Sequence, residues 1–181
     1  MPARIVLQQA DITRALTRIS HEILESNRGP DGLVILGIPT RGVTLADRIA
    51  SQLSEIAGSA VKRGSLDVTL YRDDLDRHPT RAPSPTVVPA DGIDGRTVIL
   101  VDDVLYSGRT IRAALDALSD IGRPRIVRLA VLIDRGHREL PIRPDFVGKN
   151  LPSAQHERIN VHLLGTDGDE FVSIDEVKAA E

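Results

Sequence analysis

The chain contains no cysteine and no tryptophan, and only two phenylalanines and two tyrosines among 181 residues. Without cysteine it has neither a disulfide framework nor a thiolate metal site. With aromatics at 2%, the core must be built from Ile, Val, Leu and Ala, the side chains that fill helix-flanked parallel sheets. No apolar run approaches the ~18 residues of a membrane span, and the opening MPARIVLQQAD lacks the apolar stretch of a secretion signal, so a cytoplasmic location is expected. Charge of one sign is lacking too. Lys and Arg number 23 against 26 Asp and Glu, a net −3, which argues against strong nonspecific affinity for nucleic acid and confines RNA recognition to a local basic patch. This length and composition suit one domain, residues 1–181, with a sizeable core.

The most informative stretch is residues 98–110, VILVDDVLYSGRT. Val98 to Val101 are apolar at every position, as in a strand buried on both faces of a parallel sheet. That strand delivers Asp102 and Asp103 to its carboxyl end, where open α/β sheets place ligands, and paired carboxylates accept hydrogen bonds from two vicinal sugar hydroxyls. Ser107-Gly108-Arg109-Thr110 then offers hydroxyls, a residue without Cβ and the positive end of a helix beginning near Thr110, which together suit a phosphate. Neither the dinucleotide pattern G-x-G-x-x-G nor the P-loop pattern G-x-x-x-x-G-K-[ST] occurs around this strand. A helix-capping role for the aspartates needs only one carboxylate and leaves the other residues unexplained.

Elsewhere, Ile12, Leu16, Ile19 and Ile23 mark the buried face of a helix over residues 11–26. Arg14, Thr17, Arg18 and His21 share its opposite face, where a solvated surface is the ordinary explanation. A strand over Leu33–Ile38 leads into Pro39-Thr40-Arg41-Gly42 and a helix with Leu45, Ile49, Leu53 and Ile56 inward, a second candidate anion site. Leu66, Val68 and Leu70 alternate with polar residues as in a half-buried strand. Residues 72–88 are rich in Pro and charge and read as a long flexible loop, either a linker or a lid. A helix over Thr110–Ile121 is expected to bury Ile111, Ala114, Leu115 and Leu118, followed by a strand over Ile126–Ile133 and a polar loop over residues 134–150. Two more strands, near Ile159–Leu164 and Glu170–Ile174, precede a helical tail over Asp175–Ala180.

The 98–110 stretch closely resembles the 5-phosphoribosyl-1-diphosphate (PRPP) signature of type I phosphoribosyltransferases, and GIPTRG looks like the pyrophosphate loop of the same family. RALTRISHEI, TLYRDDL, GRPRIVRLAVLIDRGHRELPIR and VGKN extend the likeness to the bacterial bifunctional pyrimidine-operon attenuation regulators that are also uracil phosphoribosyltransferases. The resemblance implies an α/β fold with a central, mainly parallel sheet flanked by helices, a small hood, and residues 72–88 closing as a lid. It implies the reaction uracil + PRPP → UMP + diphosphate. Asp102, Asp103, Arg41 and Tyr106 would be catalytic. Thr40, Arg41 and Gly42 would hold the pyrophosphate, the turn Val104-Leu105-Tyr106-Ser107-Gly108-Arg109-Thr110 the 5-phosphate, Arg135 the base, and Arg72 and Asp73 would serve from the lid. Mg²⁺ would accompany PRPP near Asp102 and Asp103, directly or through water. Tyr106, where purine enzymes usually carry an acidic residue, disfavours purines and would orient the base or take its N1 proton.

The resemblance also implies binding to the 5′ leader mRNA of pyrimidine genes, with UMP sensed in the nucleotide pocket. Arg14, Thr17, Arg18 and His21, joined by Arg138, Arg143 and Lys149, are the candidate RNA contacts. A homodimer or higher homo-oligomer is expected. The alternative is a salvage uracil phosphoribosyltransferase without RNA binding.

Overall fold

The computed structural model describes residues 3–74 and 82–177, and the central part of the expected lid, 75–81, lies outside the described residues. Five strands form the main sheet in the order β3-β2-β4-β5-β6: β2 Leu33–Gly37, β3 Lys62–Ser65, β4 Thr97–Leu105, β5 Ile126–Asp134 and β6 Phe146–Asn150. Every neighbouring pair in it is parallel. α1 (Gln9–Asn27) and α2 (Arg41–Ala57) cover one face, and α3 (Arg109–Ile121) covers the other. The remaining strands, β1 Arg4–Gln8, β7 Glu157–His162 and β8 Phe171–Glu176, make a separate antiparallel sheet in the order β1-β8-β7, the hood.

The period-two rule explains the layering. Leu33 and Ile35 of β2 point into the cluster with α1 and α2, while Val34 and Leu36 point into the cluster with α3. Ile12, Leu16, Ile19 and Ile23 are all buried against Leu45, Ile49 and Leu53. Each such side chain contributes about 1.5–3 kcal/mol of burial, so the helices are held mainly by their apolar stripes.

Several expectations are corrected. Leu70 is 71% exposed and lies in a 3-10 turn over Thr69–Tyr71; the ladder is formed by the polar Lys62–Ser65 instead. Polar residues suit that position because β3 is an edge strand. Ile56, in the last turn of α2, is 43% exposed. Leu115 is 41% exposed because α3 approaches the sheet through Ala113, Ala114 and Ala117, which rotates Leu115 to the rim. The loop after β5 contains β6, a short strand on the open edge of β5. β1 pairs with β8, a match the N-terminal sequence did not announce. Asp175 and Glu176 end β8 rather than begin a helix, and residues 178–181 lie outside the described residues.

Candidate active site

β4 extends four residues beyond its apolar run, so Asp102 and Asp103 sit within the last turns of the strand rather than after it, with Asp102 opposite Val131 of β5. Asp102 is 8% exposed. Its Oδ1 accepts the Asp103 N–H at 2.9 Å, and Asp103 Oδ1 accepts the Val104 N–H at 2.8 Å, so both carboxylates are fixed by the backbone. Burial, and next the adjacent Asp103 charge, hold the Asp102 carboxyl well above the usual carboxylate range, opposed in part by Arg72. The buried Asp102 carboxyl therefore holds its proton more readily than an exposed carboxyl does.

The turn after β4 reaches α3 through Gly108, whose φ of +94° suits a residue without Cβ. Ser107 Oγ accepts the Arg109 N–H at 3.4 Å, while the Ser107 carbonyl accepts N–H groups from Glu139 and Leu140. Arg109 bonds Glu139 at 2.7 Å and Asp73 at 2.5 Å, bringing the start of the expected lid over the N-terminus of α3. Arg72 is held bidentately by Asp74, at 2.9 and 2.8 Å.

Thr40 is exposed and precedes α2; the Pro39–Thr40 peptide is cis. Gly42 backs onto β4 so closely that a Cβ there would lie 2.5 Å from the Val101 carbonyl oxygen. That contact draws the loop up against Asp102 and Asp103. Arg41 donates from Nε and Nη2 to Asp167 of the hood at 3.0 and 2.7 Å. A cavity of about 310 Å³ is lined by Arg41, Asp103 and Val104 on one side and by Arg158 to His162 of β7 on the other. These β7 residues, and Asp167, were not among the candidates from sequence. Hood and core are far apart in the chain, and no periodicity announces their contact.

Arg135, 8% exposed, is anchored by Ser153 Oγ at 2.8 Å and the Ala154 carbonyl at 2.9 Å, and its guanidinium lies 4.3 Å from the Tyr106 ring centroid. His137 meets the same ring edge-on. The structure thus brings Arg135 and Tyr106 together at the ends of β5 and β4.

Away from these residues, Arg14, Arg18 and Lys149 line one groove of about 330 Å³ between α1 and β6, with Asp11 among them. Thr17 and His21 are exposed on the same helix. Arg18 also donates to the Val147 and Gly148 carbonyls at 3.1 and 2.6 Å, so it fastens α1 to β6. Arg138 is committed to the Ile142 and Tyr106 carbonyls and to Asp134, which makes it a brace of the 134–144 loop. Arg143 is exposed, beside Arg138 on that loop.

The oxygen donors of Asp102 and Asp103 suit a hard cation such as Mg²⁺. No group of three or more His, Asp or Glu that could hold a metal ion occurs among the described residues, so a cation there needs further oxygens from substrate or water. No helix among the described residues is long and apolar enough to cross a membrane.

A parallel sheet with a carboxylate pair at a strand end, a glycine-capped helix beside it and a hood opposite defines a class. The chain belongs to the phosphoribosyl transferase domain family, which it matches over residues 3–164. It has the type I fold: hypoxanthine phosphoribosyltransferase from Trypanosoma cruzi superposes with a TM-score of 0.71 over 96% of both chains at 16% identity. Within the family its similarity is to bifunctional proteins PyrR. The one from Leifsonia xyli subsp. xyli is 71% identical, covering 97% of this chain and 98% of that protein. The one from Streptomyces coelicolor is 61% identical, covering 98% and 92%. The family expected from the sequence is the family found.

Proposed function

We propose that the protein transfers the phosphoribosyl group of PRPP to uracil, giving UMP and diphosphate, and that it also binds pyrimidine-gene leader RNA as a UMP-responsive regulator. The observation that carries the enzymatic reading is the meeting, around one cavity, of Asp103, Arg41 and the open edge of β7. As pyrophosphate leaves C1, positive charge grows on the ribose, and two fixed carboxylates lower the energy of that charge while binding the vicinal hydroxyls. The turn from Val104 to Thr110 receives the 5-phosphate on backbone N–H groups at the start of α3. Thr40, Arg41 and Gly42 receive the pyrophosphate, and Arg72 and Asp73 approach from the lid. Mg²⁺ neutralises pyrophosphate charge when bound with PRPP.

Uracil offers an acceptor, a donor and an acceptor along its O4, N3–H and O2 edge. An edge strand such as β7 presents N–H and C=O pairs on its open side, which read such a pattern without charge. Arg135 on Tyr106 closes the other end of the site. Uracil with PRPP and Mg²⁺ should yield UMP and diphosphate; turnover of hypoxanthine but not uracil would overturn the base assignment.

The RNA reading is favoured by the convergence of Arg14, Arg18 and Lys149 on one groove, next to exposed Thr17 and His21. With so few aromatics, recognition rests on Arg, hydrogen bonds and RNA shape. Titration of pyrimidine leader RNA with and without UMP separates the bifunctional protein from a salvage enzyme alone. A homo-oligomer in the cytoplasm completes the proposal.

A further inference from the structure

Three side chains on one face of α2 hold the turn between β7 and β8. Arg41, Thr44 and Arg48, at helical spacing, meet Asp167, Thr166 and Glu170. Two of these rungs only dock the hood: the Thr44 and Thr166 hydroxyls lie 2.8 Å apart, and Arg48 grips Glu170, whose side chain is 3% exposed. The Arg41 rung differs, because Arg41 starts α2 and lines the cavity with Asp103. Asp167 spans the Nε and Nη2 edge of its guanidinium. Asp167 is itself pinned, since Oδ2 accepts the Leu163 N–H at 2.9 Å and its own N–H bonds the Leu163 carbonyl at 2.9 Å.

We propose that Asp167 is a positioning residue for Arg41, an internal anion that pyrophosphate must displace to take the Nε and Nη2 edge of the guanidinium. The proposal rests on the reading of Arg41 as a pyrophosphate ligand. One edge of a guanidinium fork accepts one bidentate oxyanion, so carboxylate and diphosphate are alternatives there. Before substrate arrives, Asp167 keeps Arg41 paired and at the cavity wall. When diphosphate leaves, Asp167 retakes the fork, which weakens product binding. The same turn connects β7 to β8, so the exchange is felt at the strand that lines the base side of the cavity.

Asp167→Asn and Asp167→Ser both retain an acceptor for the Leu163 N–H while removing the charge. Magnesium pyrophosphate titrated calorimetrically should bind either variant roughly 3–10-fold more tightly than the wild type, with KM for PRPP lowered in step and kcat not raised. A purely structural role would raise KM and lower kcat instead. Glu170→Gln, which perturbs the hood contact away from Arg41, should leave pyrophosphate affinity unchanged. In the wild type, added pyrophosphate should shift the Leu163 and Asp167 amide resonances, a readout that survives if neither Asp167 variant folds. Unchanged or weaker affinity in folded variants, or unmoved amides, overturns the proposal. If Arg41→Ala binds pyrophosphate as the wild type does, the assignment of Arg41 itself has failed, a result distinct from failure of the competition.

Discussion

The guanidinium of Arg135 lies 4.3 Å from the centroid of the Tyr106 ring, joining the ends of the neighbouring strands β5 and β4. The guanidinium is fixed from behind by Ser153 and Ala154, so the stack is held by the loop before β7 as well as by the ring. Arg135→Lys keeps the charge but loses the planar stack and the fork. If the stack shapes the base site, KM for uracil should rise about 10-fold with KM for PRPP little changed. Equal rises in both constants would place Arg135 in general folding.

Replacing Asp102 and Asp103 together by Asn should preserve the backbone contacts and lower UMP formation by at least ~10²-fold, because the charge that stabilises a cationic sugar is gone. Near-normal turnover in a folded double variant would refute these roles.

Asp102→Asn alone should stabilise the protein while damaging activity. A carboxyl whose folded pKa is raised binds protons more readily folded than unfolded, so the contribution of Asp102 to stability is fully present below the usual carboxylate range and is lost as pH rises through the folded pKa. The variant lacks this loss. Its melting temperature should exceed that of the wild type at pH 8, by about 2–4 °C for each kcal/mol relieved, and the difference should vanish as pH falls toward the usual carboxylate range. Melting curves across this range test the sign.

Gly42→Ala should lower PRPP-dependent turnover and also destabilise the fold, because the added Cβ meets backbone rather than a flexible side chain. A methyl group there meets the Val101 carbonyl and must push Thr40 and Arg41 away from Asp102 and Asp103. Titration with PRPP and Mg²⁺ should show binding weakened by about 10-fold.

His21→Ala and Arg14→Ala should weaken leader RNA binding by about 1–3 kcal/mol each and leave UMP synthesis intact. Arg18→Ala should do the same but also lower the melting temperature, since Arg18 bonds β6. RNA titrations at fixed salt, beside uracil transferase assays, separate these outcomes.

What the sequence determined by itself were the features written in contiguous residues. The run Val98 to Val101, the adjacent Asp102 and Asp103, and Gly108 before α3 follow from local patterning, because a doubly buried strand, a strand end and a helix start each have their own residue signature. The stripe Ile12, Leu16, Ile19 and Ile23 was legible for the same reason. The helical spacing of Leu115 and the alternation of Leu70 looked equally regular, yet neither is buried; which side of a regular element meets the sheet depends on how close its neighbours come. Tertiary structure alone decided that the chain's first strand pairs with its last, that β6 fills the edge of β5, and that Arg18 bonds that strand. It alone placed Asp167 on Arg41, 126 residues away. Such pairs leave no periodic trace, because each partner is an ordinary surface charge until folding brings the hood turn against the first turn of α2.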